Sequence, residues 1–220
     1  MAEYPEWHPE EAPDYDSNLS ASGAQVLTRL RSDAGFCASV LTDPRELHRT
    51  LYAHFAPAAY PEYAGTYRGT PNSPLESRYS GCQSLLDGQP QLRFLSPEQV
   101  PSAMENILPA IAAMRANAET PWDRLWALTN LFVQFGKVHP FLDGNGHVQR
   151  VLFAAGALEM GVPLSNRFAI HPRSYDFLLA HSLECFTRSG DGQWAMAVAE
   201  YLAQWLDGPF DAPGSGLPPE

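Results

Sequence analysis

The stretch VHPFLDGNGHVQR, residues 138–150, lies between two long apolar runs and constrains the fold more than any other part of the chain. Before it, Leu125, Leu128, Leu131, Phe132 and Phe135 recur at helical spacing. After it, VQRVLFAAGALEMG reads as a second helix. Pro140, Gly144 and Gly146 interrupt any helix drawn through both, so two apolar helices must meet at a short, polar break. That break carries His139, Asp143, Asn145, His147 and Arg150.

A plain turn accounts for DGNG, but not for a histidine directly before a proline or for an arginine one turn into an apolar helix. A calcium loop fails on position. Its sixth residue would be Val148 where glycine is needed, and its twelfth Ala154 where a bidentate glutamate belongs. Zinc would use His139, Asp143 and His147, which are spaced by four, yet the proline and glycines work against the continuous helix that would align them. A phosphate site gives each residue a task. Gly144 and Gly146 let backbone approach a ligand, and the amino end of the following helix offers N–H groups to an anion. Asp143 could hold Mg²⁺ together with phosphate oxygens and water. His139 could take a proton near neutral pH, and Arg150 could reach back to the same anion.

Elsewhere the chain reads mainly as helix. Ser17 to Arg31 can form one, and Asp43 with Pro44 starts another through LHRTLYAHF. Ser96, Pro97 and Glu98 open VPSAMENILPAIAAM, and Thr120 with Pro121 opens the helix before the break. Tyr175 to Phe186 and Gly192 to Leu206 make two more. Residues 65–95, rich in Gly, Ser, Pro and Asp, are expected as a hairpin-like flap with strands at TYRG and QLRFL. Residues 1–16 are expected as a flexible acidic arm, 17–207 as one helical domain with its core at 43–206, and 208–220 as a flexible tail.

The totals exclude some partners. A formal charge of -11 without clustered basic residues argues against extended nucleic acid, though not against a small phosphorylated ligand. No run approaches the roughly 20 apolar residues of a membrane span. Cys37, Cys82 and Cys185 show no metal or disulfide spacing, and the acidic amino terminus has no secretory pattern. A soluble protein of the cytoplasm is expected.

The residues of the break resemble the signature of the Fic family, His-Pro-Phe-x-Asp/Glu-Gly-Asn-Gly-Arg-x-x-Arg. Seven positions from His139 to Gly146 match, with Leu142 free, and Arg150 matches the final arginine. GTYRG at residues 65–69 is similar to the family's entry to its flap, and FLSPEQVPSAMENIL and LHRTLYAHF resemble the segments after and before it. The resemblance implies a helical bundle with a small β-hairpin flap, and transfer of AMP from ATP to a Tyr, Ser or Thr hydroxyl of a target protein. By it, His139 is the general base and Asp143 the Mg²⁺ ligand. Gly144, Asn145 and Gly146 cradle phosphate, with His147 beside them, and Arg150 clamps the distal phosphates. His139, Asn145 and Arg150 are the expected catalytic residues. Phe141 anchors the loop, and the flap presents the target as an added strand.

His147 departs from the family pattern, which has arginine there. A five-donor, permanently charged group is replaced by a shorter ring. Losing one charge-assisted contact in the transition state costs on the order of 2–3 kcal/mol, or roughly 30- to 200-fold in rate. Three functions follow: an adenylyltransferase, an enzyme of the same fold using another phosphate-containing donor, and a regulatory nucleotide-binding protein with weak or no transfer. The inhibitory Ser/Thr-x-x-x-Glu-Gly/Asn helix of many family members is not found. Its nearest fit, Thr42 to Glu46, is followed by Leu47, so restraint is expected from an antitoxin-like or other regulatory partner, or from His147 itself. His48 and His54 are expected in ordinary helix-surface or core positions, and His171 and His181 in the core or an interface. Arg68 and Arg78 are expected in the flap, facing solvent or a ligand.

Overall fold

Side-chain caps at Asp33, Thr120, Asp176 and Asp191 set four of the α-helix starts in the computed structural model, which describes residues 4–172, 176–208 and 210. Eight α-helices lie among the described residues: α1 (Tyr15–Ser32), α2 (Ala34–Thr42), α3 (Arg45–Tyr52), α4 (Val100–Ala116), α5 (Pro121–Val138), α6 (Asn145–Glu159), α7 (Phe177–Ser189) and α8 (Gly192–Ala203). One antiparallel hairpin pairs β1 (Gly81–Cys82) with β2 (Leu92–Arg93), Gly81 opposite Arg93 and Cys82 opposite Leu92. The mainly α architecture expected from the sequence is the one observed.

At the start of α5, Thr120 Oγ1 accepts from the Asp123 N–H at 3.1 Å while Asp123 Oδ2 accepts from the Thr120 N–H at 2.9 Å, a reciprocal capping box. The helix it opens packs along α6, whose residues from His147 to Ala157 are all buried. A helix buried all round is the centre of its bundle. α1, α2 and α5 surround it, and α7 and α8 close the far side of α5. Gly156 permits the close α5–α6 approach, because a Cβ there would lie 2.8 Å from Leu128 Cδ2. Phe132, Phe153 and Trp205 meet edge to face in the core between these helices.

Three expectations change. First, α2 was not expected. Asp33 caps it, accepting from the Phe36 N–H at 2.9 Å, but its nine residues are too few to show an amphipathic period. Second, TYRG is a turn and not a strand. Gly65 and Gly69 take φ of +93° and +78°, and a Cβ at Gly69 would sit 1.6 Å from Pro97 O, so this backbone packs directly against the segment before α4. The first strand lies further on, at Gly81–Cys82, while the second falls inside the expected QLRFL. Third, the described part of the expected arm is held on the body. Trp7 is 6% exposed and donates from Nε1 to Phe55 O at 2.9 Å, and Tyr63 Oη donates to Pro5 O at 2.9 Å. The apolar area of one indole outweighs the acidic, proline-rich character of its neighbours. Tyr175 and most of the expected tail lie outside the described residues. None of the three cysteines is paired, and no described helix is long and apolar enough to cross a membrane.

Candidate active site

Helix α5 ends at His139, which takes the left-handed conformation with φ 52° and ψ 61° and donates its N–H to Phe135 O at 2.9 Å. Left-handed backbone costs a non-glycine residue roughly 1–2 kcal/mol, so something must hold it. Arg68 does. Its guanidinium is fully buried and donates to His139 O from Nε at 3.0 Å and from Nη2 at 2.8 Å. It also reaches Val138 O and Leu95 O at 3.1 Å and Arg78 O at 3.2 Å. Burial lowers its pKa to about 10, which still leaves it charged at neutral pH. A fixed cation here satisfies the carbonyls at the negative end of α5 and pins the flap root to the motif loop. Arg68 therefore faces neither solvent nor ligand, contrary to the expectation for it.

The loop is braced from within. Asn145 Oδ1 accepts from the Phe141 N–H and Nδ2 donates to Phe141 O, both at 2.9 Å. Its carboxamide thus closes the loop on itself, a positioning task. Phe141 stacks on His48, with ring centroids 3.9 Å apart and planes at 3°. His48 Nδ1 accepts from the Gly65 N–H at 2.8 Å, so its proton sits on Nε2 and is donated to Asp143 O at 3.0 Å. Burial holds this imidazole far below its ordinary pKa, at about 3, and keeps it neutral. Gly144, with φ +75°, starts α6 where a Cβ would lie 2.5 Å from the Tyr52 ring. Its N–H donates to Asp143 Oδ1. No side chain caps α6, so its amino end keeps the N–H character that suits an anion.

Two chambers open beside this loop and share Gly146, Gln149, Ala180 and Leu183 as a common wall. The larger, of 360 Å³, is lined by His147, Arg150 and His171 among others. The smaller, of 210 Å³, runs under the flap and is lined by His139, Phe94 and Cys82. The His139 ring lies flat on Phe94, with centroids 3.7 Å apart and planes at 4°. Arg150 donates from Nη1 to Ala169 O at 3.1 Å and rests its guanidinium over Trp205, 4.4 Å from the ring centroid. His147 is buried. Its Nδ1 lies 2.7 Å from Tyr52 Oη and its Nε2 lies 3.0 Å from His171 Nδ1.

The fold therefore brings His139, Gly146, His147 and Arg150 to one groove. Asp143, Gly144 and Asn145 form the loop that shapes it without lining either of these two chambers. Among the described residues no group of three His, Cys, Asp or Glu is placed to hold a metal ion. A single half-buried carboxylate at Asp143 fits a Mg²⁺ that takes its remaining ligands from phosphate and water. Arg68, His48, Tyr52, His171, Phe94 and Glu184 were not singled out as site residues. Arg68 stood inside GTYRG, His48 and Tyr52 inside LHRTLYAHF, and Phe94 opened FLSPEQVPSAMENIL, all segments recognised for their resemblance, whereas His171 and Glu184 carry no local pattern.

Comparison with curated protein sequences returns no match. Among solved structures, the amino-terminal Fic domain of a Bartonella effector protein, a VirB-translocated Bep from Bartonella sp. AR 15-3, superposes with a TM-score of 0.61 at 14% identity, over 88% of this chain and 82% of that one. BepC from Bartonella tribocorum, solved with AMPPNP bound, gives 0.58 at 13% identity over 87% of each chain. A Fic-domain signalling protein from Bacteroides thetaiotaomicron gives 0.58 at 16% identity, over 93% of this chain and 72% of that one. At such identities the likeness establishes the fold. The Fic/DOC family model matches residues 41–155, more than half of the 220, and spans α3, the flap, α5, the motif and the first eleven residues of α6. On that match and this fold, the chain belongs to the Fic/DOC family.

Proposed function

We propose that the protein transfers AMP from ATP to a hydroxyl of a target protein, with His139 as general base. The observation that carries this reading is the shared wall of the two chambers. It sets the imidazole of His139 under the flap on one side, and the uncapped start of α6 with Arg150 on the other. A nucleotide laid across Gly146 would present its phosphates to the helix start, and a hydroxyl entering under the flap would meet His139.

In the step itself, His139 takes the proton of the hydroxyl, whose oxygen bonds to the α-phosphorus as pyrophosphate leaves with the electrons of the broken P–O bond. Asp143 would hold a Mg²⁺, which would supply charge neutralisation for the phosphates. Arg68, Asn145 and His48 hold His139 and its loop in place, which is most of what an enzyme contributes to phosphoryl chemistry. The AMPPNP bound by BepC supports a nucleotide as the ligand class. The cytoplasm as its location, and a target strand laid on the flap, belong to this proposal as well.

A second reading has its own observation. His147, in place of arginine, is engaged by Tyr52 and His171 and does not offer a guanidinium fork to the groove. Slow transfer or another phosphate-containing donor fits that arrangement. Intact-mass analysis after incubation with ATP and Mg²⁺ in lysate decides among these outcomes. The expected result is an AMP adduct on the protein or a target, lost in His139→Ala. An adduct that persists in His139→Ala would refute its role as base.

A further inference from the structure

His171 follows α6 in the chain and lies outside every motif read from the sequence. Its side chain is 7% exposed and lines the larger chamber. Nδ1 is 3.0 Å from His147 Nε2, and His147 Nδ1 is 2.7 Å from Tyr52 Oη. Among the described residues Nε2 makes no hydrogen bond; the Asp16 carboxylate stands 3.2 Å away without the alignment of one. That carboxylate's side chain is 89% exposed, so it is a loose neighbour at the lip of the chamber and not a buried partner. Tyr15 meets both imidazoles edge on, and Arg150 and Asp176 line the same chamber.

Only one proton can lie between two imidazole nitrogens, so the tautomers of the two rings are coupled. With Tyr52 donating to His147 Nδ1, His147 Nε2–H donates to His171 Nδ1, and His171 carries its own proton on Nε2. The opposite order would turn a lone pair toward the Asp16 carboxylate, which charge repulsion disfavours. The relay therefore leaves a buried N–H donor aimed at the lip of a chamber that also holds a guanidinium.

We infer that His171 is a further anion-binding residue of this cleft, its Nε2–H and the Arg150 guanidinium together taking oxygens of a polyphosphate while Asp16 swings into solvent. A relay of His147 with His171 from another segment thus stands where a single arginine side chain would reach. The identity of the ligand rests on the proposed transfer reaction; the donor geometry does not.

Calorimetry on the full chain with inorganic tripolyphosphate, and separately with adenosine, tests this. His171→Phe is expected to weaken tripolyphosphate binding about tenfold or more, leaving adenosine binding unchanged. His171→Arg, which restores a donor and a permanent charge, is expected to recover it. Asp16→Asn changes only an exposed side chain and removes the competing carboxylate, so it is expected to tighten tripolyphosphate binding whether or not His171→Phe folds. Wild-type protein that binds no tripolyphosphate, or an Asp16→Asn variant that binds it no better, overturns the inference. Binding that follows this pattern in a protein that transfers no AMP would sink the transferase reading and leave the His171 assignment standing. Transfer of AMP that is insensitive to His171 would do the reverse.

Discussion

His48 shows how one side chain can be indispensable to a site without touching its chemistry. It accepts from Gly65, donates to Asp143, and stacks between Tyr52 and Phe141, so it joins α3, the flap entry and the motif loop through a neutral ring. Because burial holds its folded pKa at about 3, below the roughly 6.5 of an unfolded histidine, the unfolded chain binds more protons between those values. Its contribution is complete above about pH 6.5 and falls by up to about 1.4 kcal/mol for each unit of pH below it. Denaturant unfolding from pH 7 to 4.5 should show this slope in wild-type protein and a shallower one in His48→Gln. Equal slopes would assign the acid sensitivity to other groups. The sequence offered no sign of this role. His48 and His54 look alike as letters, and only the packing of Gly65 and Asp143 against one of them separates the two.

At the scale of elements, the flap is held at both ends by buried charges, and neither was legible as such. Its root is fixed by Arg68 and its tip by Glu184 of α7. Glu184 Oε1 accepts from Ser84 Oγ at 2.6 Å and from Arg188 Nε at 2.8 Å, while Oε2 accepts from the Leu85 N–H at 2.7 Å. Burial alone would raise this carboxyl, but the hydrogen bonds from Ser84, Leu85 and Arg188 outweigh it and hold the pKa below the ordinary value. The charged form is therefore the docked form. Its stabilisation is present above the usual glutamate range and lost as pH falls through the lowered folded value. Glu184→Gln should cost about 1–3 kcal/mol of flap docking and speed amide exchange in residues 82–90, leaving α5 and α6 protected. Unchanged exchange there would mean that the hairpin is held by Arg188 on Pro90 instead. The helices around the flap were readable because caps and apolar periods are local. Pro44, Pro97 and Thr120 each stand within a residue or two of an observed start. Only the first strand lies later than its local pattern suggests, because the flap's docking depends on contacts a hundred residues away, which no local pattern carries.

Across the whole molecule, the amino-terminal segment and the motif prove to be neighbours in space. Trp7 presents its ring edge to His48, Tyr52 and Tyr63 at 5.8–6.1 Å, and those side chains in turn support Asp143, His147 and the segment entering the flap. Arg78 of the flap reaches Tyr4 O and Pro5 O at 3.2 Å from the other side. A segment whose composition suggests disorder is thus one wall of the layer beneath the candidate active site, and its effect should travel inward. Trp7→Ala removes a buried indole and should cost about 3–5 kcal/mol in global unfolding. If Trp7 supports the site, the loss is not confined to the segment itself: exchange should also quicken at residues 139–147, and tripolyphosphate binding should weaken because Tyr52 no longer fixes His147. Trp7→Phe, which keeps a ring edge but loses the donor to Phe55, should fall between the two. Faster exchange in residues 4–14 alone, with the motif loop still protected, would show instead that this segment docks without steadying the site.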